Sequence, residues 1–137
     1  MTADQRRTAE KEAPDDPEDL LPEDSVLSLG EYLDMHAAVG NRTRYEILYR
    51  LVHAGEMSPT ELADMMDIDD STLHYHLNEL LESGLVEKRQ RTEREQGGLY
   101  TYYRATLFGE VTLTDGVDEL IRGEQAFDEM YNSSSGE

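Results

Sequence analysis

SPTELADMMDIDDSTLHYHLNELLESGLV, residues Ser58–Val86, decides the fold: it reads as helix, tight turn, second helix and then strand. Ser58 offers a hydroxyl to free N–H groups, and Pro59 takes the first helical position, where no donor is needed. Glu61, three residues after Ser58, completes a capping box. Leu62, Ala63, Met65 and Met66 form the apolar stripe of this first helix. Asp67-Ile68-Asp69 is a short polar break around one apolar anchor. Asp69 or Asp70 then caps a second helix, expected over about residues 70–83 and stopped at Gly84. A helix pair with so short a turn is the shape that inserts its second helix into a DNA major groove.

The outward face of that second helix decides whether the shape is used. At about 100° per residue, Leu73, Leu77, Leu80 and Leu81 fall on one stripe, which has to be buried. The opposite face carries Ser71, Tyr75, Asn78 and Glu82, flanked by Thr72 and His74. Hydroxyls, an imidazole, a phenol and an amide can donate to or accept from base edges and phosphates. An exposed helix without that task more often shows Glu, Lys and Arg, which favour helix and solvate well. The DNA-contacting candidates here are therefore Ser71, Thr72, His74, Tyr75 and Asn78, against the plainer reading of a solvated helix with unusual residues. His74 and His76 lie two residues apart and cannot share a face. His76 sits nearer the leucines and is expected to be partly buried, hydrogen-bonded and used to position the helix.

Outward from this pair, Ser28 is expected to cap a helix over about 29–39, with Leu29, Tyr32, Leu33, His36, Ala37 and Val39 supplying apolar surface. Gly40-Asn41 breaks it. A helix from about Arg42 to His53 turns Ile47, Leu48, Leu51 and Val52 inward, and Gly55 ends it. Arg42 and Arg44, at its start, are either phosphate clamps or structural. After Gly84, residues 85–92 read as a strand with an increasingly polar end. Glu93 to Gly98 has turn chemistry, and the β-branched and aromatic run Leu99–Ala105 is the return strand. The result is a two-stranded wing. Lys88, Arg89, Arg91 and Arg94 on the wing, about residues 88–98, suit a phosphate backbone or the adjacent minor groove; Arg104 lies beside them. The competing reading of these charges is a solvated edge that discourages sheet aggregation. Leu107-Phe108-Gly109 is expected as a junction. A last helix, from Glu110 or Thr114 to Tyr131, presents Leu113, Val117, Leu120, Ile121 and Phe127 as one stripe.

At 137 residues the chain can hold one domain of modest core plus tails. It has no cysteine, so disulfides and thiolate sites for zinc or arsenite are excluded. No hydrophobic run is long enough to span a bilayer and the N-terminus lacks the apolar core of a signal peptide, so a cytoplasmic protein is expected. The formal net charge is −19, which opposes phosphate binding. Its distribution softens that objection: eight of the twelve Lys and Arg lie within residues 41–105, whose net charge is −4. Only Lys11 and Lys88 are lysines, against 31 Asp and Glu. Abundant carboxylates with scarce lysine resemble the proteins of halophilic archaea that accumulate salt. In molar salt the Debye length is about 3 Å, so acidic flanks repel DNA only at short range.

The order helix, helix, helix-turn-helix, hairpin, helix resembles the ArsR-type winged helix-turn-helix regulators. The likeness is carried by Gly40–Leu48, Ser58–Ala63, Ser71–Leu80, Gly84-Leu85-Val86 and the tyrosine-rich return strand, and it covers about residues 29–131. It implies a mainly α fold with a small β-hairpin and a homodimer joined through its first and last helices. It further implies operator binding, with the second helix of the pair in the groove and the wing on the backbone. The expected organisation is a disordered acidic tail over 1–24, a DNA-binding domain over 25–105, a dimerisation helix over 106–131 and a polar tail over 132–137. Metal-sensing members use cysteines, or carboxylate and histidine ligands on the last helix. This chain has no cysteine and that helix has no histidine, so no metal or other cofactor is expected. The i, i+3 carboxylates among Asp115, Asp118, Glu119 and Glu124 read as solvated. No glycine-rich phosphate loop, nucleophile elbow or metalloprotease-type helix is present, so an enzyme is not expected. Two other readings stand beside regulation. One is a winged-helix module that binds protein rather than DNA. The other adds a small-molecule effector site near Tyr32, Tyr45 and Phe127.

Overall fold

Capping hydrogen bonds set where nearly every helix begins. The structure, a computed structural model, describes residues 13–93, 95 and 97–135, with side chains described only to Tyr131. These fall into two compact units that divide between Asp34 and Met35. In the first, Asp16 accepts from the Glu18 backbone N–H at 3.0 Å and starts a 3-10 turn, Pro17–Leu20. Residues 1–12 of the expected acidic tail lie outside the described residues; its remainder contains this turn. Ser28 opens α1 (Leu29–Val39), and Glu31 reciprocates: each backbone N–H donates to the other's side chain, at 3.0 and 3.1 Å.

In the second unit Asn41 caps α2 (Arg42–Ala54), accepting from the Arg44 N–H at 3.0 Å. Ser58 and Glu61 make the expected capping box of α3 (Pro59–Met66). Asp67 then turns the chain in the left-handed region, at φ 54°. Asp69 caps α4 (Asp70–Glu82), accepting from the Thr72 N–H at 2.7 Å. β1 (Val86–Glu93) and β2 (Gly98–Ala105) pair antiparallel, with Val86 opposite Ala105 and Glu93 opposite Gly98. Met57 adds a short third rung: it exchanges two backbone hydrogen bonds with Tyr103, at 3.1 and 2.8 Å.

Beyond the hairpin the expected junction is absent. Leu107-Phe108-Gly109 is already helical, in α5 (Leu107–Thr112), followed by one π turn (Leu113–Val117) and α6 (Asp118–Ser135). The cause is Thr106, whose hydroxyl accepts from the Gly109 N–H at 3.1 Å and donates to the Gly84 carbonyl at 2.6 Å. Gly109 lets this turn lie directly on the Leu85 carbonyl; a methyl group there would collide with that oxygen and crowd Leu48. At the π turn, the Tyr45 hydroxyl of α2 donates to Asp118 at 2.7 Å. That bond, then partial burial, pushes the Tyr45 phenol up to about 12.

The core is aliphatic. Ile47, Leu48 and Leu51 of α2, Leu62 of α3, Leu73, Leu77 and Leu80 of α4, Leu85 and Leu113 are all fully buried. Several expected apolar positions are less enclosed: Val52, Met66 and Leu81 are half-buried, and Leu33, Ala37 and Met65 are exposed. An eight-residue α3 makes barely two turns, and Leu62 and Ala63 already fill its inward side. Of the stripe expected on the last helix, only Leu113 is buried; Leu120 and Phe127 are 76% and 62% exposed.

Replacing Gly109 by alanine should destabilise the fold by about 1–3 kcal/mol, the usual cost of overpacking against atoms that cannot swing aside. Urea unfolding measures this. A loss below about 0.5 kcal/mol, within the ordinary range for surface changes, would show that Leu85 can retreat.

Candidate nucleic-acid interface

Burial of Leu73, Leu77 and Leu80 turns the rest of α4 outward. Ser71, Thr72, His74, Tyr75 and Asn78 are all exposed, so the structure brings the five expected helix residues onto one open face. Tyr75 is 58% exposed and lies edge-on to His76, with ring centroids 5.0 Å apart. The Ser71 hydroxyl donates to the capping Asp69 carboxylate at 3.1 Å. Asp69 also holds the Thr72 N–H, and this backbone bond first, with the hydroxyl's, keeps its carboxyl below the usual range.

Arg44 fixes the rotation of α4. Its Nε donates to the Ala38 carbonyl at 2.7 Å, and its Nη1 meets His76 Nδ1 at 3.2 Å. A guanidinium can only donate, so Nδ1 must accept and the ring is neutral, its proton on Nε2. Of the two roles open to Arg44, the structure engages the structural one. Arg42 is exposed. His76 is half-buried as expected, and burial first, then the Arg44 charge, push its imidazole below its ordinary value.

The wing divides the expected basic residues. Glu87 lies opposite Arg104, Arg89 opposite Tyr102 and Arg91 opposite Tyr100. Because side chains alternate across a strand, these six share one face, while Lys88, Gln90 and Thr92 occupy the other. Arg94 lies outside the described residues. On the first face each arginine meets a carboxylate. Glu87 accepts from Arg104 and pairs with Arg89 at 3.3 Å. The Arg104 hydrogen bond, chiefly, holds the Glu87 carboxyl below its ordinary value and lifts Arg104 in turn. Arg91 pairs with Glu56 at 3.3 Å, and its guanidinium lies 4.7 and 5.1 Å from the stacked rings of Tyr100 and Tyr102. The Tyr100 hydroxyl donates to Glu61 at 3.0 Å and ties the wing to the start of α3. Lys88 has no salt bridge among the described residues.

Sequence reading missed Glu56, Glu61, Tyr100 and Tyr102 as partners of the wing. The hairpin register held a signal for the tyrosines: a turn centred on residues 95–96 sets 91 against 100. Nothing local pointed to Glu56, which reaches Arg91 across 35 residues. No group of three or more His, Asp or Glu able to hold a metal occurs among the described residues. Nor is any described helix long and apolar enough to cross a membrane.

Comparison with known proteins agrees with this fold. Residues 39–89 match the family described as Helix-turn-helix domain. The chain is 33% identical over 78 residues to a Halobacterium salinarum protein that carries the name arsenical resistance operon repressor ArsR. It is 31% identical over 75 residues to the arsenical resistance operon repressor of Bacillus subtilis. These alignments take in 56% and 55% of this chain, and the chain spans 56% and 66% of the two relatives. Among solved structures, the ArsR-like transcriptional regulator from Rhodococcus sp. RHA1 has a TM-score of 0.50 and 27% identity, over 78% of this chain and 92% of that one. The chain carries a helix-turn-helix domain and is similar to ArsR-type winged helix-turn-helix regulators.

Burial of His76, and after it the charge of Arg44, makes stability depend on pH. The folded imidazole titrates below its ordinary value of 6.5, so the unfolded chain takes up the proton first. The contribution is complete above about pH 6.5 and is lost as the pH falls from there through the lower folded value. Urea midpoints measured from pH 7.5 down to 5 should fall more steeply for the native chain than for His76→Gln. Parallel curves would mean that His76 is not the group responsible.

Proposed function

We propose that this protein is a sequence-specific, homodimeric transcriptional regulator that binds double-stranded DNA. One observation carries the reading: on an ArsR-type domain, α4 offers Ser71, Thr72, His74, Tyr75 and Asn78 outward from a fully buried leucine stripe. In the proposed complex this face lies in the major groove. Tyr75 and Asn78 reach base edges, while Ser71, Thr72 and His74 serve bases or the flanking phosphates. The wing lies on the backbone through Lys88, Arg89, Arg91 and Arg94.

The exposed Leu120, Ile121, Phe127, Met130 and Tyr131 of α6 support a dimer made by the last helix together with the first. Two copies would set two recognition helices about one duplex turn apart, roughly 34 Å, and match a palindromic operator. The composition supports a cytoplasmic protein working at high salt. A thiolate arsenite site cannot form without cysteine. Any signal sensed by this chain therefore works through other chemistry.

A protein-binding role for the same domain has one observation in its favour. Arg89, Arg91 and Arg104 already spend their charge on neighbouring carboxylates. That reading predicts no footprint on any DNA and a stable complex with a second protein.

The reading is tested by selecting bound sequences from native genomic fragments and measuring gel shifts on the selected operator. Tyr75→Ala or Asn78→Ala should lower the preference for operator over random DNA about tenfold, the usual scale for one lost base contact. Unfolding should stay unchanged, since both side chains are exposed. If neither substitution alters that preference, α4 does not read the groove. Separately, Phe127→Glu should shift the sedimentation coefficient from dimer to monomer, and an unchanged coefficient would remove α6 from the interface.

A further inference from the structure

We propose that Glu56 belongs to the DNA interface as a competitor for Arg91, and that it sets how strongly the wing grips any duplex. The inference rests on the DNA-binding reading above. It begins with how Arg91 is held. Its guanidinium lies over Tyr100 and Tyr102, whose rings stack on each other 5.6 Å apart. Tyr100 is in turn fastened to Glu61. The flat side of the cation is thus supported by the hairpin itself. Its N–H groups remain to meet an anion, and one nitrogen, Nη1, donates to both Glu56 carboxylate oxygens, at 3.3 and 3.4 Å.

A phosphate is an equally good acceptor for that nitrogen, because guanidinium makes charge-assisted hydrogen bonds with carboxylate and phosphate alike. Two anions repel each other at one nitrogen, so duplex binding through Nη1 of Arg91 has to displace Glu56. Arg91 and Glu56 are 53% and 40% exposed, which keeps the pair solvated and the exchange easy. A wing latch is the other role Glu56 could have. Yet the hairpin is already tied down by the Tyr100–Glu61 bond and by the two backbone bonds between Met57 and Tyr103. Removing the Glu56 charge leaves all three in place.

The two roles predict opposite signs. A latch makes Glu56→Gln bind DNA more weakly; a competitor makes it bind more tightly. The probe is a fluorescent random-sequence duplex of about 20 base pairs, titrated by anisotropy against the full chain over a salt series. Four proteins are compared: native, Glu56→Gln, Arg91→Ala and the double variant. Glu56→Gln should bind about three- to fivefold tighter near 0.1 M salt, the scale of an exposed ion pair released. Its log–log salt slope should steepen by about one, for one further phosphate neutralised. In the Arg91→Ala background the gain should vanish. Unchanged or weaker binding by Glu56→Gln overturns the proposal, and so does a gain that survives without Arg91, which would reflect only the loss of a nearby anion. If no protein of the four retains duplex at low salt, the DNA-binding reading itself falls, and this proposal with it.

Discussion

Everything outward-facing in this domain follows from the burial of three leucines on α4. Leu73, Leu77 and Leu80 are wholly inaccessible, and α4 packs against α2, α3 and the start of β1. Each buried leucine contributes roughly 1.5–3 kcal/mol relative to exposure. Rotating the helix by one residue would bring Tyr75 and His74 toward the core and leucines into water. The polar face therefore has no independent freedom: its aim is set by what lies behind it. Arg44 refines that aim, since it joins the end of α1 to His76 and admits only a neutral imidazole.

Those parts of the fold with short-range causes could be read from the chain. Ser58, Asp69 and Asn41 each accept from a backbone N–H three residues on, so the residues that start α2, α3 and α4 sit beside their own evidence. The outward set on α4 was equally accessible, because a helical period assigns faces without knowledge of the neighbours. The start of the last helical segment was hidden for a different reason. Thr106 caps it while serving the carbonyl of Gly84, and Gly109 is required by a carbonyl at Leu85; both partners are more than 20 residues away. Leu107-Phe108-Gly109 looks like a break only until that carbonyl is in place. Met65 errs in the opposite direction. Its spacing is right for an inward position, but so short a helix has room for few of them.

The apolar stripe on the last helix shows a third kind of limit. Periodicity reports that Leu120, Ile121 and Phe127 share a side, and it is silent on whether the cover comes from the same chain or another. Within a single chain they remain in water, along with Met130 and Tyr131. Five large apolar side chains on one 18-residue helix are costly to hydrate. The Tyr45–Asp118 bond meanwhile fixes that helix where it leaves the domain. A tethered, apolar, uncovered rod fits the proposed homodimer, whose two-fold symmetry would match that of a palindromic site.

Charge is the remaining constraint, and it shapes how such a protein would choose its DNA. Most DNA-binding domains gain affinity from unpaired cations, which grip every sequence alike. Here the net charge is −19 and Arg89, Arg91 and Arg104 are each matched to a carboxylate. In the proposed complex the sequence-independent part of binding is correspondingly small. Neutral groups on α4 would then carry a larger share of the free energy, through hydrogen bonds that depend little on ionic strength. In molar salt, where phosphate–cation attraction is screened within about 3 Å, a surface of this kind loses less than a basic one would. An acidic recognition protein is then no contradiction. On the proposed reading it relies on the part of the interface that salt does not weaken.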